Sequence, residues 1–277
     1  MAIGFSKFNA TVPVAIPIVL PMALIIVGEA LLFVGNREDC LIVHVLNILI
    51  CIMVPILLRR DSLVWQAFML LSMLRVLNLA MPRFTEMTLY WMPMIYAPLI
   101  VVGYLLVRDD TLKFQDRLRN LRRSFNLSRF SGWKALYLLA GIILALSLAN
   151  IEFEILSMNM SDLRLVPDLS AGSLALLFIV MVFFVGLGEE LVFRYILQTR
   201  LEGSVGVISA ILVTSLAFAV MHAGYESYIY MIYVFCISLI LGVLYARTKS
   251  LALVTLIHGC LNFFLFSLLP FGYLTLF

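Results

Sequence analysis

Residues 171–199 read AGSLALLFIVMVFFVGLGEELVFRYILQT. A helix that crosses a membrane needs about 20 predominantly apolar residues, and this run exceeds that length. It also carries Glu189, Glu190 and Arg194 in its second half. The surrounding chain agrees. Of its 277 residues, 64% are hydrophobic and 13% charged, and the mean hydropathy is +1.09. Soluble domains carry about 25% charged and about 45–50% apolar residues. These values exclude a soluble globular enzyme, a disordered chain and a secreted disulfide-rich protein. The apolar runs are continuous and not alternating, which excludes a β-barrel. The fold class that remains is all-α, a polytopic transmembrane helix bundle.

Reading outward for runs of spanning length gives nine, at about 12–35, 41–58, 63–81, 87–107, 135–157, 171–199, 204–222, 227–246 and 251–269. The chain start has one lysine, prolines at 13, 17 and 21, and no small-residue cleavage site, so it reads as a first membrane helix and not a removable signal. Cys40, Cys51, Cys236 and Cys260 show no C-x-x-C spacing and read as small buried hydrophobes. No internal repeat is visible.

The net charge of +3 says little, but its distribution orients the chain. With the N-terminus inside, 14 of the 19 lysines and arginines fall in inside loops, and only Arg37, Arg83 and Arg164 fall outside. By the positive-inside rule the expected topology is N-in, C-out. The chain then divides into a four-span region of unknown role at 1–107, a basic cytoplasmic linker at 108–134, and a core at 135–277. Within the linker, Phe114, Leu118, Leu121 and Phe125 share one helical face among basic residues. That pattern suits a helix lying on anionic head groups, and equally a solvated positive-inside linker. An integral, multi-pass protein of a plasma or inner membrane is expected, with the bilayer as its partner and no nucleic acid.

A charge at the centre of a membrane helix costs about 2.5–3.5 kcal/mol on insertion scales. Glu189, Glu190 and Arg194 are therefore a functional candidate. Glu190 and Arg194 are i, i+4 and can pair on one face. Glu189 is turned away from that pair by about 100°, and a carboxylate without a counter-charge suits work as a general base. Of the three histidines, His44 reads as incidental. His222 ends the seventh run, i+4 from Phe218, and His258 lies i, i+4 from Asn262 in the ninth. At about 1.5 Å per residue, Glu189, His258 and Asn262 come out in the inner half to middle of the membrane, and His222 higher. A helix starting later than 204 would lower it, and Gly203, Gly206 and Ser209 favour such a start. Glu29 and Arg75 are further embedded charges. They are read as pairing or snorkelling, with a substrate-carboxylate contact for Arg75 as a further reading.

The patterns E-E-x-x-x-R at Glu189, Glu190 and Arg194, F-x-x-x-H at Phe218 and His222, and H-x-x-x-N at His258 and Asn262 follow one another on late helices. In that order they resemble the CPBP family of intramembrane proteases, which includes the type II CAAX prenyl endopeptidases and the bacterial Abi proteins. The resemblance covers about 135–277. It implies an intramembrane endopeptidase in which Glu189 and His222 activate a water, and His258 and Asn262 donate to the tetrahedral oxyanion. Glu190 and Arg194 would support them, with no cofactor required. The substrate would be a membrane-anchored or lipidated protein or peptide. Two other readings stand beside it. One is a zinc hydrolase, although H-E-x-x-H is absent. The other is a proton-coupled transporter using Glu189, although no inverted repeat is visible. Cys260 faces away from His258 and is not read as a nucleophile.

Overall fold

The computed structural model describes residues 16–59, 62–80, 88–108, 123–124, 133–158, 160 and 162–276. The surface helix expected around Phe114–Phe125 falls outside them, except at 123–124.

The described residues form nine helices long and apolar enough to cross a membrane, and no strand. They are α1 Ile16–Phe33, α2 Arg37–Leu58, α3 Leu63–Ala80, α4 Thr88–Arg108, α5 Trp133–Ser157, α6 Ala171–Val205, α7 Val207–Val220, α8 Tyr228–Thr248 and α9 Leu251–Phe266. Each matches one of the nine apolar runs, so the protein is an integral, multi-pass membrane protein. Leucine, isoleucine and valine stand exposed along the outer faces, among them Ile56, Leu57, Leu139, Ile143, Ile208 and Ile232. A bundle surrounded by acyl chains has no reason to hide them.

Short side chains close the helix starts. Asn36 accepts from the Asp39 amide ahead of α2, Ser170 from Ser173 ahead of α6, Ser227 from Tyr230 ahead of α8, and Ser250 from Leu253 ahead of α9. Each satisfies a backbone donor that has no intrahelical partner. Ser124, from the linker, is buried against the start of α9. Its hydroxyl accepts from the Leu251 amide at 2.8 Å and donates to the Lys249 carbonyl at 3.1 Å.

Two features of α6 are decisive. First, it runs on to Val205, past the edge expected from hydropathy, and α7 begins only at Val207 after the turn at Gly206. Glu189 and His222 therefore lie at nearly equal chain distance on either side of that turn, which removes the mismatch in depth. Second, α6 is not a regular helix. Segments Val180–Gly186 and Leu191–Gln198 have π-helical hydrogen bonding, and between them sits the single α-turn Leu187–Glu190. Such insertions are rare and recur at functional sites.

Opposite this segment, α9 crosses α6 at backbone distance. A Cβ on Gly259 would lie 2.7 Å from the Val182 Cα, and one on Gly186 would lie 3.1 Å from the Thr255 carbonyl oxygen. Small residues at a membrane-helix crossing permit this approach. It delivers His258, one residue before Gly259, onto the two glutamates.

Candidate active site

The imidazole of His258 lies between Glu189 and Glu190. Its Nδ1 is 2.8 Å from Glu190 Oε1, and its Nε2 is 3.6 Å from Glu189 Oε2. Glu190 Oε2 lies 3.0 Å from Arg194 Nε, with both side chains fully buried. Arg194 donates from Nη1 to Ser238 Oγ on α8 at 3.0 Å. Its guanidinium lies 5.0 Å from the centroid of the Phe218 ring, a cation–π contact. Glu190 and Arg194 thus pair as the spacing suggested, and Glu190 also holds His258.

Phe218 sits at the centre of this arrangement. Its ring packs edge-on against Phe193 at 4.8 Å and His258 at 5.8 Å, and tilted against His222 at 4.9 Å. Its carbonyl accepts from His222 Nδ1 at 2.8 Å. A carbonyl can only accept, so the proton of a neutral His222 is on Nδ1 and the lone pair is on Nε2. The same argument assigns a proton to His258 Nδ1, which faces a carboxylate.

Glu189, His222, His258 and Asn262 line one cavity of about 320 Å³. They reach it from α6, the turn after α7, and α9. Glu189 and His222 face the same space without bonding each other. Glu189 Oε1 accepts from the Tyr96 hydroxyl of α4. Tyr96 can come so close because residue 188 is glycine, where a Cβ would lie 2.6 Å from the tyrosine ring.

The front spans also contribute to the cavity. Arg75 of α3 lines it and donates to Glu29 of α1 twice, from Nε at 2.6 Å and from Nη2 at 2.8 Å. Nη2 also donates to the carbonyl of Met221, the residue before His222. Glu29 and Arg75 therefore pair with each other. His44 does not line the cavity; it is fully buried, with Nδ1 3.1 Å from Ser72 Oγ and Nε2 3.4 Å from Glu29 Oε1. Glu152 and Tyr96 are among the cavity residues that the sequence did not single out. Glu152 had a visible signal, a carboxylate inside the apolar run 135–157. Tyr96 had none, because a tyrosine in a membrane helix raises no alarm.

The cavity is nearer one end of the bundle than the helix arithmetic suggested. Its exposed lining residues, Asn78, Gly224 and Tyr225, lie where α3 ends and in the turn between α7 and α8. Counting from residue 199 understates the height of Glu189, because α6 extends to Val205. Among the described residues, no three His, Cys, Asp or Glu side chains come together as a metal-ligand set.

A buried acid–imidazole–acid array, with His222 and Asn262 on the same cavity within a multi-pass bundle, is a candidate site for proton-transfer chemistry. Residues 171–264, which contain all three motifs, match the model of the family described as type II CAAX prenyl endopeptidase Rce1-like. No curated protein and no solved structure matches the chain.

Proposed function

We propose that this protein is an intramembrane endopeptidase that hydrolyses its substrate by direct water activation at Glu189. The observation that carries this reading is the convergence of Glu189, His222, His258 and Asn262 on one cavity from three separate parts of the back half. Glu189 takes a proton from water as the water oxygen bonds to the substrate carbonyl carbon. The lone pair of His222 Nε2 accepts from the same water and fixes its direction. The carbonyl oxygen becomes an oxyanion, which the Asn262 amide and His258 Nε2 stabilise by donation. For Nε2 to donate while Nδ1 remains bonded to Glu190, the ring carries both protons. Glu190, paired to Arg194, and Glu189 both favour that cation by proximity. As the carbon–nitrogen bond breaks, the proton on Glu189 passes to the leaving amine.

The substrate is a membrane-anchored or lipidated protein or peptide, which agrees with the family match and with a cavity set within the bundle. With the basic loops inside, the chain is N-in, C-out, and the cavity mouth faces outside. Comparing membranes that carry the wild-type protein with membranes that carry Glu189→Ala tests the activity. Cleavage products present only with the wild type support it, and identical product sets refute it.

Zinc hydrolysis is the second reading. Both imidazoles are held at Nδ1 and turn Nε2 toward the cavity, as metal-bound histidines commonly do. The absence of a three-ligand set among the described residues weighs against it. Elemental analysis decides: direct water activation predicts no stoichiometric zinc and activity that survives chelators. One zinc per chain, with activity lost on removal and restored on return, would establish the metal enzyme.

A further inference from the structure

Glu152 has no part in the mechanism above, yet a carboxylate buried in a membrane bundle is costly unless something compensates it. It lies on α5, is 5% exposed and lines the same cavity. Its Oε1 accepts from the Tyr230 hydroxyl at 2.8 Å. Among the described residues no lysine or arginine pairs with it, since the guanidiniums nearby are taken, Arg75 by Glu29 and Arg194 by Glu190.

The walls beside Glu152 are aromatic. Tyr225 and Tyr230 line the cavity with ring centroids 4.6 Å apart, and His222 lies 5.9 Å from Tyr230. Tyr233 stacks behind Tyr230 at 6.4 Å and donates to the Leu148 carbonyl at 2.6 Å, which ties α8 to α5 one turn before Glu152. Rings and carboxylate are therefore held in place before any ligand arrives. The charges facing the cavity are Glu189 from α6, Glu152 from α5 and Arg75 from α3, with His222 and His258 titratable beside them. Glu29 cancels Arg75, so the cavity has an excess of negative charge.

We propose that Glu152, Tyr225 and Tyr230 form a subsite for an ammonium or guanidinium group of the substrate, which selects peptides with a lysine or arginine close to the scissile bond. The proposal rests on the peptide-hydrolase reading above. A cation among aromatic faces is attracted by their quadrupoles, and a carboxylate in a dry site binds it more strongly than one in water. The exposed position of Tyr225 at the mouth lets a side chain enter from that end. The ammonium of a lipid head group has the same chemistry and is the competing occupant.

The test uses the purified full chain in nanodiscs and a set of quenched fluorescent peptides. The peptides share one apolar parent sequence and differ at a single scanned position, which is lysine, arginine, citrulline or norleucine. Cleavage and the melting temperature with each peptide are both read. The expected result is a kcat/KM at least tenfold higher for lysine and arginine than for norleucine and citrulline at one position. The lysine peptide should also raise the melting temperature more than the norleucine peptide does. Glu152→Gln, which keeps an acceptor for Tyr230, should bring both differences close to nothing. Should that variant not fold, Tyr225→Leu should reduce the preference several-fold. Cleavage with no basic preference, or a preference unchanged in the variants, would overturn the subsite and leave the hydrolase reading standing. Stabilisation by the lysine peptide without cleavage would sustain the subsite and overturn the hydrolase reading, and neither response would overturn both. If phosphatidylethanolamine nanodiscs slow cleavage relative to phosphatidylglycerol ones, Glu152→Gln relieves this, and peptides show no basic preference, the occupant is lipid and the substrate subsite is refuted.

Discussion

Glu189 and Glu190 are adjacent in the chain and share almost no contact except His258. Glu190 is fully buried between Arg194 and His258, whereas Glu189 faces the cavity and takes the Tyr96 hydroxyl. Their substitutions should separate accordingly. Glu189→Gln should abolish hydrolysis with little change in melting temperature, because the amide cannot take the proton from water. Glu190→Gln leaves Arg194 buried without its counter-charge, a loss that typically costs about 3–5 kcal/mol, and it should lower both the melting temperature and turnover per folded molecule. Equal destabilisation by the two would contradict the division. Asn262 lines the cavity and shares a helical face with His258. Losing one oxyanion donor costs roughly 10²–10³ in rate, so Asn262→Ala should reduce turnover by about that factor with little change in apparent affinity. A clamp between helices would instead lose activity only in proportion to folded protein. Glu189, Glu190, Arg194, His222 and His258 were legible because charge and imidazole inside apolar runs demand an explanation, and Phe218 and Asn262 by their i, i+4 spacing from the histidines. Tyr96 was not legible, and the bond from Glu190 to His258 was hidden by distance in sequence.

At the scale of elements, the nine spans could be read from hydropathy to within a few residues, because lipid demands long apolar helices. What could not be read was the shape of α6. A π-segment changes which backbone groups bond and leaves no period in the sequence, so the turn that aims Glu189 at the cavity and Glu190 at α9 was invisible. The crossing of α6 and α9 depends on glycine. Gly259→Ala would drive a methyl group into the Val182 backbone, where neither chain can give. Overpacking of this kind costs about 1–3 kcal/mol. The variant should melt earlier and, even where folded, turn over more slowly, because His258 moves away from the glutamates. Unchanged turnover per folded molecule would mean that the crossing does not set the site. The clamp from the front spans makes a parallel prediction. Arg75→Met removes the donor to the Met221 carbonyl and leaves Glu29 buried without its cation. Melting temperature and turnover should both fall, although Arg75 lies outside the segment that matches the family. Wild-type turnover per folded Arg75→Met molecule would show that the His222 turn is held without it.

At the scale of the whole molecule, three of the front four spans line the cavity along with the motif residues, α1 through Leu32, α3 through Arg75 and Asn78, and α4 through Tyr96. On the proposed N-in, C-out orientation the cavity mouth faces outward. Single cysteines on a background without the four natural ones should label from outside at Asn78 and Tyr225, and from inside at residue 120; the reverse pattern would invert the orientation. On the proposed mechanism Glu189 directs water onto a peptide bond within this bundle. The most direct test is to reconstitute the full chain in liposomes and incubate it with a solubilised membrane-protein fraction in ¹⁸O-water. New carboxyl termini are then read by mass spectrometry. The expected result is ¹⁸O-labelled new termini with the wild type and none with folded Glu189→Gln. Labelled termini at the wild-type level with Glu189→Gln, or none with the wild type, would contradict it.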